Sequence, residues 1–436
     1  MRPRQSKPRL LQAMIDAFSL PDLRRRILIT VGALVVFRFI AHVPLPGVDL
    51  SALQDLFERN ALLGMLDLFS GGAMKRLSVA AMGVYPYITA SIIMMLLVPI
   101  IPKLQAISQE GESGKNKINL ITHWATVPLA GVQGYGQLVF LQRQGVISSA
   151  EVLPTITIVL SMVAGTIFLV WLGELITQYG IGNGISIIIF GGIVAGLPEL
   201  VGQGFLAKGN FIGLFVYGLI VLSTMVVIVI FTEAHRRVPV QYAKSVFRGG
   251  RMYRQSGSTH IPMRVNSAGM IPLIFAMSVV IFPGIVASYF VDPAKPGFAD
   301  MVTRLFDPNA ALPLGIFYWV FYFMLAVGFT FFYTMVVFQQ QDLPGTLQRQ
   351  GGFIPGIRPG KNTSAYLNGV INHITWAGAL FLATVAVMPF LARQISNVQV
   401  IQLSSLGLII MVGVILDTMK QLEAQLVMRR YEGFIK

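Results

Sequence analysis

The sequence predicts an all-α polytopic membrane protein with ten transmembrane helices. Hydrophobic residues make up 54% of the 436-residue chain and charged residues only 12%, whereas a soluble globular chain has about 25% charged residues. Ten apolar runs approach or exceed the length needed to cross the hydrocarbon core, roughly 20 residues. Lys and Arg are concentrated in alternate connections between these runs. The runs are residues 27–41, 77–101, 120–141, 155–172, 185–201, 211–231, 269–290, 314–337, 370–390 and 403–416.

Positive charge decides the orientation of the spans, because cytoplasmic connections carry an excess of Lys and Arg. With the N-terminus in the cytoplasm, most of the 33 Lys and Arg residues fall on that side, above all in the basic segment 1–26 and the connection 233–264. An even number of spans then returns the tail, residues 420–436, to the same side. Both termini are therefore predicted to be cytoplasmic. The opposite side receives Arg59, Arg143, Lys208, Lys295, Arg304 and Arg393.

Two halves of five spans, residues 27–201 and 202–419, have opposite orientations, as an inverted repeat requires. The second span of each half contains a proline, Pro86 and Pro272, and both are predicted to lie inside their helices. Interrupted spans at matching positions point to the working site of such a fold. Chance is the alternative explanation, because membrane helices often contain proline.

A short apolar segment precedes the second span. Residues 62–69, LLGMLDLF, are too few to cross a bilayer, and Ser70-Gly71-Gly72 follows them as a hinge. A proline-interrupted span comes next, and such breaks are tolerated in a membrane only where other groups satisfy the freed backbone. The pattern predicts a movable re-entrant element.

Two cytoplasmic connections, 233–264 and 339–367, are long, basic and rich in turn residues. Val238–Tyr242 within the first alternates as a strand does. Positive loops fix membrane topology, but long loops in a compact protein are usually functional or disordered. The alternative function is docking of an anionic partner such as ribosomal RNA, or of acidic protein patches. Composition alone leaves both interpretations open.

Chemical sites are not indicated by the sequence. The chain has no cysteine, hence no disulfide or thiolate ligand. No catalytic residue, metal site or cofactor is predicted. EGESGKNK in residues 110–117 fails the phosphate-loop pattern, and the alternating glycines of Tyr179–Ser186 are explained by a turn followed by a helix start.

Charges inside the membrane point to function by default. Arg38 lies in the outer part of the first span and is expected to snorkel or to pair with a backbone carbonyl. Glu174 and Asp417 fall near cytoplasmic span ends. A coupled transporter would usually place a carboxylate at mid-depth, where the chain instead offers isoleucines. Isoleucines are commonly packing residues, but converging at a narrow point they would form a constriction that excludes water.

Several stretches closely resemble the SecY family, the pore-forming subunit of the Sec protein translocon. They are FSGGAMKR, GVYPYITASII, EGESGKNK, WLGELIT, GIGNGISIIIF, VNSAGMIP and FIPGIRPG, and they run in order from about Arg24 to Asp417. The resemblance implies a clamshell of two inverted halves around a central pore, in the cytoplasmic (inner) membrane.

The resemblance also implies roles for individual residues. Thr89 and Phe282 are expected at a lateral gate between the second and seventh spans, and Arg251 and Arg358 are expected to contact a cytoplasmic partner. An apolar pore ring would comprise Val84, Ile88, Ile189, Ile274 and Ile410. A plug would comprise Leu62, Leu63, Gly64, Met65, Leu66, Asp67, Leu68, Phe69, Ser70, Gly71 and Gly72.

The function implied is a protein-conducting channel without enzymatic activity, which moves unfolded secretory polypeptides across the membrane and releases membrane spans sideways into lipid. Its expected partners are the small membrane subunits SecE and SecG, the SecA ATPase, the ribosome, precursors with signal sequences, and membrane lipid. The alternative is a secondary transporter of a small solute, also built from inverted repeats. An intramembrane enzyme is disfavoured because no catalytic pair is evident.

Overall fold

The fold is seen in a computed structural model of the chain. It describes residues 20–59, 67, 70–147, 151–206, 211–248, 251–288, 290, 297–308, 310, 313–396 and 405–432. Contacts divide the chain into two compact units, residues 1–207 with 410–436, and residues 208–409.

The first unit is mainly helical in its described residues. Its helix α6 packs against α1, α5 and α7, and α5 packs against α3. The helices are α1 (Pro21–Ile40), α2 (Leu50–Arg59), α3 (Tyr85–Ile100), α4 (Pro102–Ser108), α5 (Glu112–Arg143), α6 (Val152–Tyr179) and α7 (Gly184–Leu206), with α14 (Ser405–Glu432) joining this unit from Ile410 onward.

The second unit combines helices with a small sheet. Its helix α13 packs against α8 and α11, and α9 packs against α10 and α11. The elements are α8 (Phe211–Glu233), β1 (His235–Arg248), β2 (Arg251–Arg264), α9 (Ile271–Ser288), α10 (Phe298–Leu305), α11 (Leu314–Gln341), α12 (Leu343–Arg349), β3 (Gly352–Phe353) and α13 (Lys361–Ser396).

Each of the ten predicted spans overlaps a helix of the described residues. Four of these helices, α6, α8, α11 and α13, are long and apolar enough by themselves to cross a membrane. A fifth candidate is α3 with α4, which are bent by 103° where Pro99, Ile101 and Pro102 interrupt the helix. The helix α7 is apolar and contains Pro198, and α9 is apolar and contains Pro283.

The prediction that Pro86 and Pro272 lie inside their helices was wrong. Pro86 is the second residue of α3 and Pro272 the second residue of α9, in the first helical turn, where a missing N–H costs no hydrogen bond. The predicted start of the second span at Leu77 was also wrong. Residues 77–79 bond instead to the chain at 43–45, through Leu45 N to Leu77 O and Val79 N to Val43 O, both 2.9 Å.

The prediction of an all-α fold was wrong in one region. The connection 233–264 forms an antiparallel hairpin, paired without a break from His235 opposite Arg264 to Arg248 opposite Arg251. Strand β3 pairs with β1 at Gln241 and Tyr242, which gives the order β2-β1-β3. The predicted alternation at Val238–Tyr242 is confirmed, because Val238 and Val240 are buried and Pro239 between them is exposed.

Candidate functional sites

The base of the expected plug is held by a buried carboxylate. Asp67 Oδ1 accepts hydrogen bonds from Met74 N at 3.0 Å and Lys75 N at 3.2 Å, and lies 2.9 Å from the hydroxyl of Ser70. Asp67 and Ser70 are both buried. Burial raises the pKa of Asp67, and these hydrogen bonds with the charge of Lys75 partly oppose that rise. Residues 62–66, 68 and 69 of the expected plug lie outside the described part of the chain.

Gly71 fastens this base to two helices. Its carbonyl accepts a hydrogen bond from Arg38 Nη1 at 2.9 Å, which confirms the expected pairing of Arg38 with a backbone carbonyl. Gly71 has a φ of +66°, a conformation that glycine adopts at little cost. A Cβ on Gly71 would lie 2.6 Å from the Cα of Gly192 in α7 and 3.0 Å from the Phe37 ring. The two backbones therefore touch, and no other residue fits at either position without movement.

In the first unit, the second span begins at a glycine turn. Gly83 has a φ of +56° and Val84 precedes the first residue of α3. Ile88 N then donates to Val84 O at 3.1 Å. Val84 is buried and Ile88 half-buried, so the sequence Gly-Val-Tyr-Pro places Ile88 two residues beyond the proline in the first turn.

In the second unit, the seventh span begins in the same way. Gly269 has a φ of +64°, and Ile274 N lies 3.4 Å from Met270 O. Ile274 is buried and stands two residues beyond Pro272, as Ile88 does beyond Pro86. A shared Gly-x-x-Pro start therefore puts an isoleucine at the same place in both second spans.

The other expected pore-ring residues are also buried within their units. Ile189 lies in the second turn of α7, and Ile410 lies in α14; both belong to the first unit. Ile274 belongs to the second. Their convergence into one ring stays a prediction.

The expected gate residues differ in exposure. Thr89 is half-buried in α3 and its hydroxyl donates to Tyr85 O at 3.1 Å. Phe282 in α9 is 67% exposed, as expected of a side chain that faces lipid or contacts a mobile element. Their role at a gate stays a prediction.

The two long basic connections form one folded module in the second unit, which the sequence did not predict. We call it the hairpin module; it comprises β1, β2, α12, β3 and the start of α13. Its core joins Val238, Val240 and Met263 of the hairpin to residues in or directly beside the other connection. Those residues are Phe338, Leu347, Ile354, Leu367 and Val370. Hydrophobic contacts between two segments a hundred residues apart leave no signature in either segment alone.

A tight turn in the hairpin module presents Arg358. Ile357 N donates to Ile354 O at 3.0 Å across Pro355-Gly356, and Gly356 has a φ of +84°, the arrangement of a type II turn. Both isoleucines pack into the module core while Arg358 is exposed. The module also exposes Arg236, Arg237, Arg264 and Lys361. Arg251 is the first residue of β2, and its side chain lies outside the described part of the chain.

The turn between α6 and α7 is held by both ends of the first unit. Gly182 N donates to Gln421 Oε1 of α14 at 2.9 Å, and Ile181 N donates to Thr30 Oγ1 of α1 at 3.1 Å. A buried cluster of Leu23, Ile181 and Leu422 lies beside these bonds. The predicted turn followed by a helix start is confirmed, but its contacts with α1 and α14 were missed because they join residues up to 239 positions apart.

Glu174 lies near the end of α6, as expected for a carboxylate near a span end. Its Oε1 lies 3.2 Å from His123 Nε2 of α5, and the His123 ring stacks on Tyr87 of α3 at a centroid distance of 5.4 Å. The His123 side chain of α5 therefore contacts side chains of both α3 and α6. Among the described residues, no group of His, Asp and Glu side chains could hold a metal ion.

A family model for SecY matches residues 78–419. The chain belongs to the SecY family. A SecY relative named protein translocase subunit SecY, from Streptomyces lividans, is 41% identical over 98% of this chain and all of its own length. A second, from Thermotoga maritima, is 39% identical and covered to 98% on both sides.

Solved structures share the SecY fold. One described as a protein conducting channel has a TM-score of 0.64 and 15% sequence identity, and covers 95% of this chain and 97% of its own. Another, Sec61 in the canine ribosome-channel complex from the endoplasmic reticulum, has a TM-score of 0.61 at 14% identity, with the same coverage. At such identities the likeness concerns the fold alone.

Proposed function

We propose that this chain is the central subunit of a protein-conducting channel. It moves unfolded secretory polypeptides across the cytoplasmic membrane and releases membrane spans sideways into lipid. The observation that carries the proposal is similarity along nearly the whole chain to relatives named protein translocase subunit SecY. No described feature favours the small-solute transporter.

The proposed architecture has ten spans in two inverted halves, with both termini in the cytoplasm. Support comes from the ten helices that overlap the ten predicted runs, and from the Gly-x-x-Pro sequence at the start of the second span in each half. In this arrangement the five residues Val84, Ile88, Ile189, Ile274 and Ile410 form the constriction. Aliphatic side chains suit it, because a translocating chain changes in size and polarity, and a dewetted ring closes without fixed polar ligands.

The proposed plug rests on the base described above. With Gly71 packed on Gly192 and bonded to Arg38, the segment before it has a fixed attachment on the expected outer side of the constriction. Opening then requires the plug to swing about this attachment, and Gly72, with a positive φ and nothing within 4 Å of a Cβ position, is the residue beside it with room to change conformation. The lateral gate between α3 and α9 is proposed at Thr89 and Phe282.

The hairpin module is the proposed docking site for the cytoplasmic partner that either supplies the energy for translocation or delivers the nascent chain. Sec61, whose fold this chain shares, is described in a ribosome-channel complex, and exposed Arg side chains suit the phosphates of ribosomal RNA. The SecA ATPase is proposed to use the same module, with Arg251 and Arg358 as contacts. SecE and SecG are the proposed membrane partners. The chain is proposed to have no catalytic activity of its own.

Photocrosslinking tests the polypeptide path. A stalled secretory precursor is offered to the reconstituted complex with a photoreactive side chain at Ile88, Ile189, Ile274 or Ile410 in turn. We expect adducts with the precursor from all four positions, dependent on the energised partner. Leu160 in α6 and Leu222 in α8, both exposed apolar residues, serve as matched controls and should label lipid. If the controls label lipid but none of the four positions forms an adduct with the precursor, the channel is contradicted and the solute transporter is favoured.

Substitution of Arg358 tests the docking module separately. We expect Arg358→Glu to slow translocation strongly, while Arg358→Lys retains most activity because the positive charge remains. The side chain is exposed and outside the module core, so membrane insertion should be unchanged in both. Equal translocation rates for the two variants and the unmodified chain would mean that these loops only fix membrane topology.

A further inference from the structure

Helix α10 leaves part of its apolar face exposed, at Phe298 and Met301, while Val302 and Leu305 are half-buried. Its sequence, FADMVTRL, is amphipathic: at about 100° per residue, Phe298, Met301, Val302 and Leu305 occupy one arc of the helix surface. Yet Phe298 is 84% exposed and Met301 61% exposed. Asp300, on the polar side, forms an ion pair with Arg304 at 3.0 Å. A folded unit that leaves such a face open needs another apolar medium to cover it.

Helix α2, the other short amphipathic helix of the described residues, shows the usual solution. Its Leu53 is fully buried and its Leu56 is 9% exposed, so its apolar face packs into the first unit. Gln54 and Asp55 on the other face are exposed. The outward apolar face of α10 is therefore not a general property of the short helices in this protein.

The end of α10 is held beside the start of α11, a helix that can span a membrane. Phe306, directly after α10, makes edge-on ring contacts with Phe317 and Phe321 at 5.8 and 5.9 Å. At 1.5 Å per residue these rings lie roughly 5–10 Å from the first residue of α11. Trp319 Nε1 donates to the Pro308 carbonyl at 3.3 Å and holds residue 308 against α11.

The surface beside α10 is apolar as well. The first turns of α11 expose Leu314, Phe317 and Val320, and α9, which also packs against α10, exposes Val286, with Phe290 exposed two residues beyond its end. These side chains lie within two predicted membrane spans, 269–290 and 314–337. The exposed face of α10 therefore continues a surface already suited to lipid.

We propose that α10 lies in the interfacial layer of the bilayer, with Phe298 and Met301 inserted among the acyl chains and Asp300 and Arg304 towards the headgroups. Interfacial helices sit about 5–10 Å into the headgroup and acyl boundary, and the ring contacts keep the end of α10 beside the first turns of α11. The inference rests on the membrane location of the chain but not on translocation. It gives the second unit an anchor beside α9, the helix that contains the proposed gate residue Phe282.

Spin labelling tests this proposal, because the chain contains no cysteine and single-cysteine variants need no background substitution. Nitroxide labels are placed at Phe298→Cys and Met301→Cys, with Arg304→Cys as the polar-face control and Gln54→Cys on α2 as the aqueous control. The full chain is reconstituted in phosphatidylethanolamine–phosphatidylglycerol vesicles. Collision rates are measured with oxygen, which partitions into lipid, and with a water-soluble nickel chelate.

We expect the ratio of oxygen to nickel collision rates to be several-fold higher at residues 298 and 301 than at 304 and 54. A ratio at 298 and 301 equal to that at 54 would place the face in water and overturn the proposal. Low collision rates with both reagents and an immobilised spectrum would show a protein cover, either a second copy or a membrane subunit, and would also overturn it. Translocation assays on the same vesicles test the channel proposal independently.

Discussion

The second spans of the two units, α3 and α9, begin with the same glycine turn, but the chain segments that precede them are held differently. Before α3, the chain is fastened over a long stretch by the Asp67 network, the Gly71–Gly192 contact and the bonds between 77–79 and 43–45. Before α9, the chain passes from the end of β2 to the helix within six residues, held by Val265 N to Ala234 O at 2.9 Å and Ser267 Oγ to Arg264 O at 2.6 Å. The Gly-x-x-Pro helix start is a local feature that occurs in both units, whereas the anchored segment before the second span is found in the first unit.

The glycine contact gives the largest expected effect. Gly192→Ala would put a Cβ 2.6 Å from the Gly71 Cα, and neither backbone can move away cheaply. We expect the free energy of unfolding to fall by roughly 1–3 kcal/mol and the resting ion conductance of the channel to rise. Gly196→Ala, one turn further along α7 with nothing within 4 Å of its Cβ, is the control. Equal behaviour of the two variants would show that the contact does not hold the plug base.

The Asp67 network comes next. Asp67→Ala leaves Lys75 N without this acceptor and Met74 N with only Ser70 Oγ, so we expect a loss of about 1–3 kcal/mol. Asp67→Asn keeps Oδ1 and should cost clearly less. Hydrogen exchange of the amides in residues 70–76 measures the difference. Identical exchange in both variants would mean that the carboxylate does not organise the segment.

Substituting the helix-start glycines compares the two units directly. Gly83→Ala and Gly269→Ala each force a residue with a Cβ into positive φ, at a cost of about 1 kcal/mol. If the start is a local device, the two losses of unfolding free energy should agree. A much larger loss at Gly83 would show that the anchored approach to α3 and its helix start are one cooperative structure.

The pH dependence of the plug base is the smallest expected effect. Asp67 lies outside the membrane-spanning helices, and burial raises its pKa above the ordinary value that it regains on unfolding. The Asp67 carboxyl group therefore stays protonated to a higher pH in the folded segment than in the unfolded chain. The stability of the segment is greatest below the pKa of the unfolded state and falls as the pH rises through the pKa of the folded state. The difference in amide exchange between the unmodified chain and Asp67→Asn should change with pH in that window. A constant difference would contradict the raised pKa.

The sequence by itself determined the helices, the family and the positions of the special residues. Apolar runs set the ten helices because a length near 20 residues and low charge are properties of a single segment. Motifs such as GVYPYI and FIPGIRPG identified the family, since each is contiguous. The sequence misplaced Pro86, because a proline in an apolar run fits a kink as well as it fits a first turn.

Only the tertiary structure decided which distant segments meet. It paired Arg38 with Gly71, packed Gly71 on Gly192, joined two separate basic connections into the hairpin module, and turned the apolar face of α10 outward. Each of these depends on backbone approach or on burial between residues far apart in the chain. Local composition does not encode such contacts, because the same glycine, arginine or phenylalanine suits many neighbours until packing selects one.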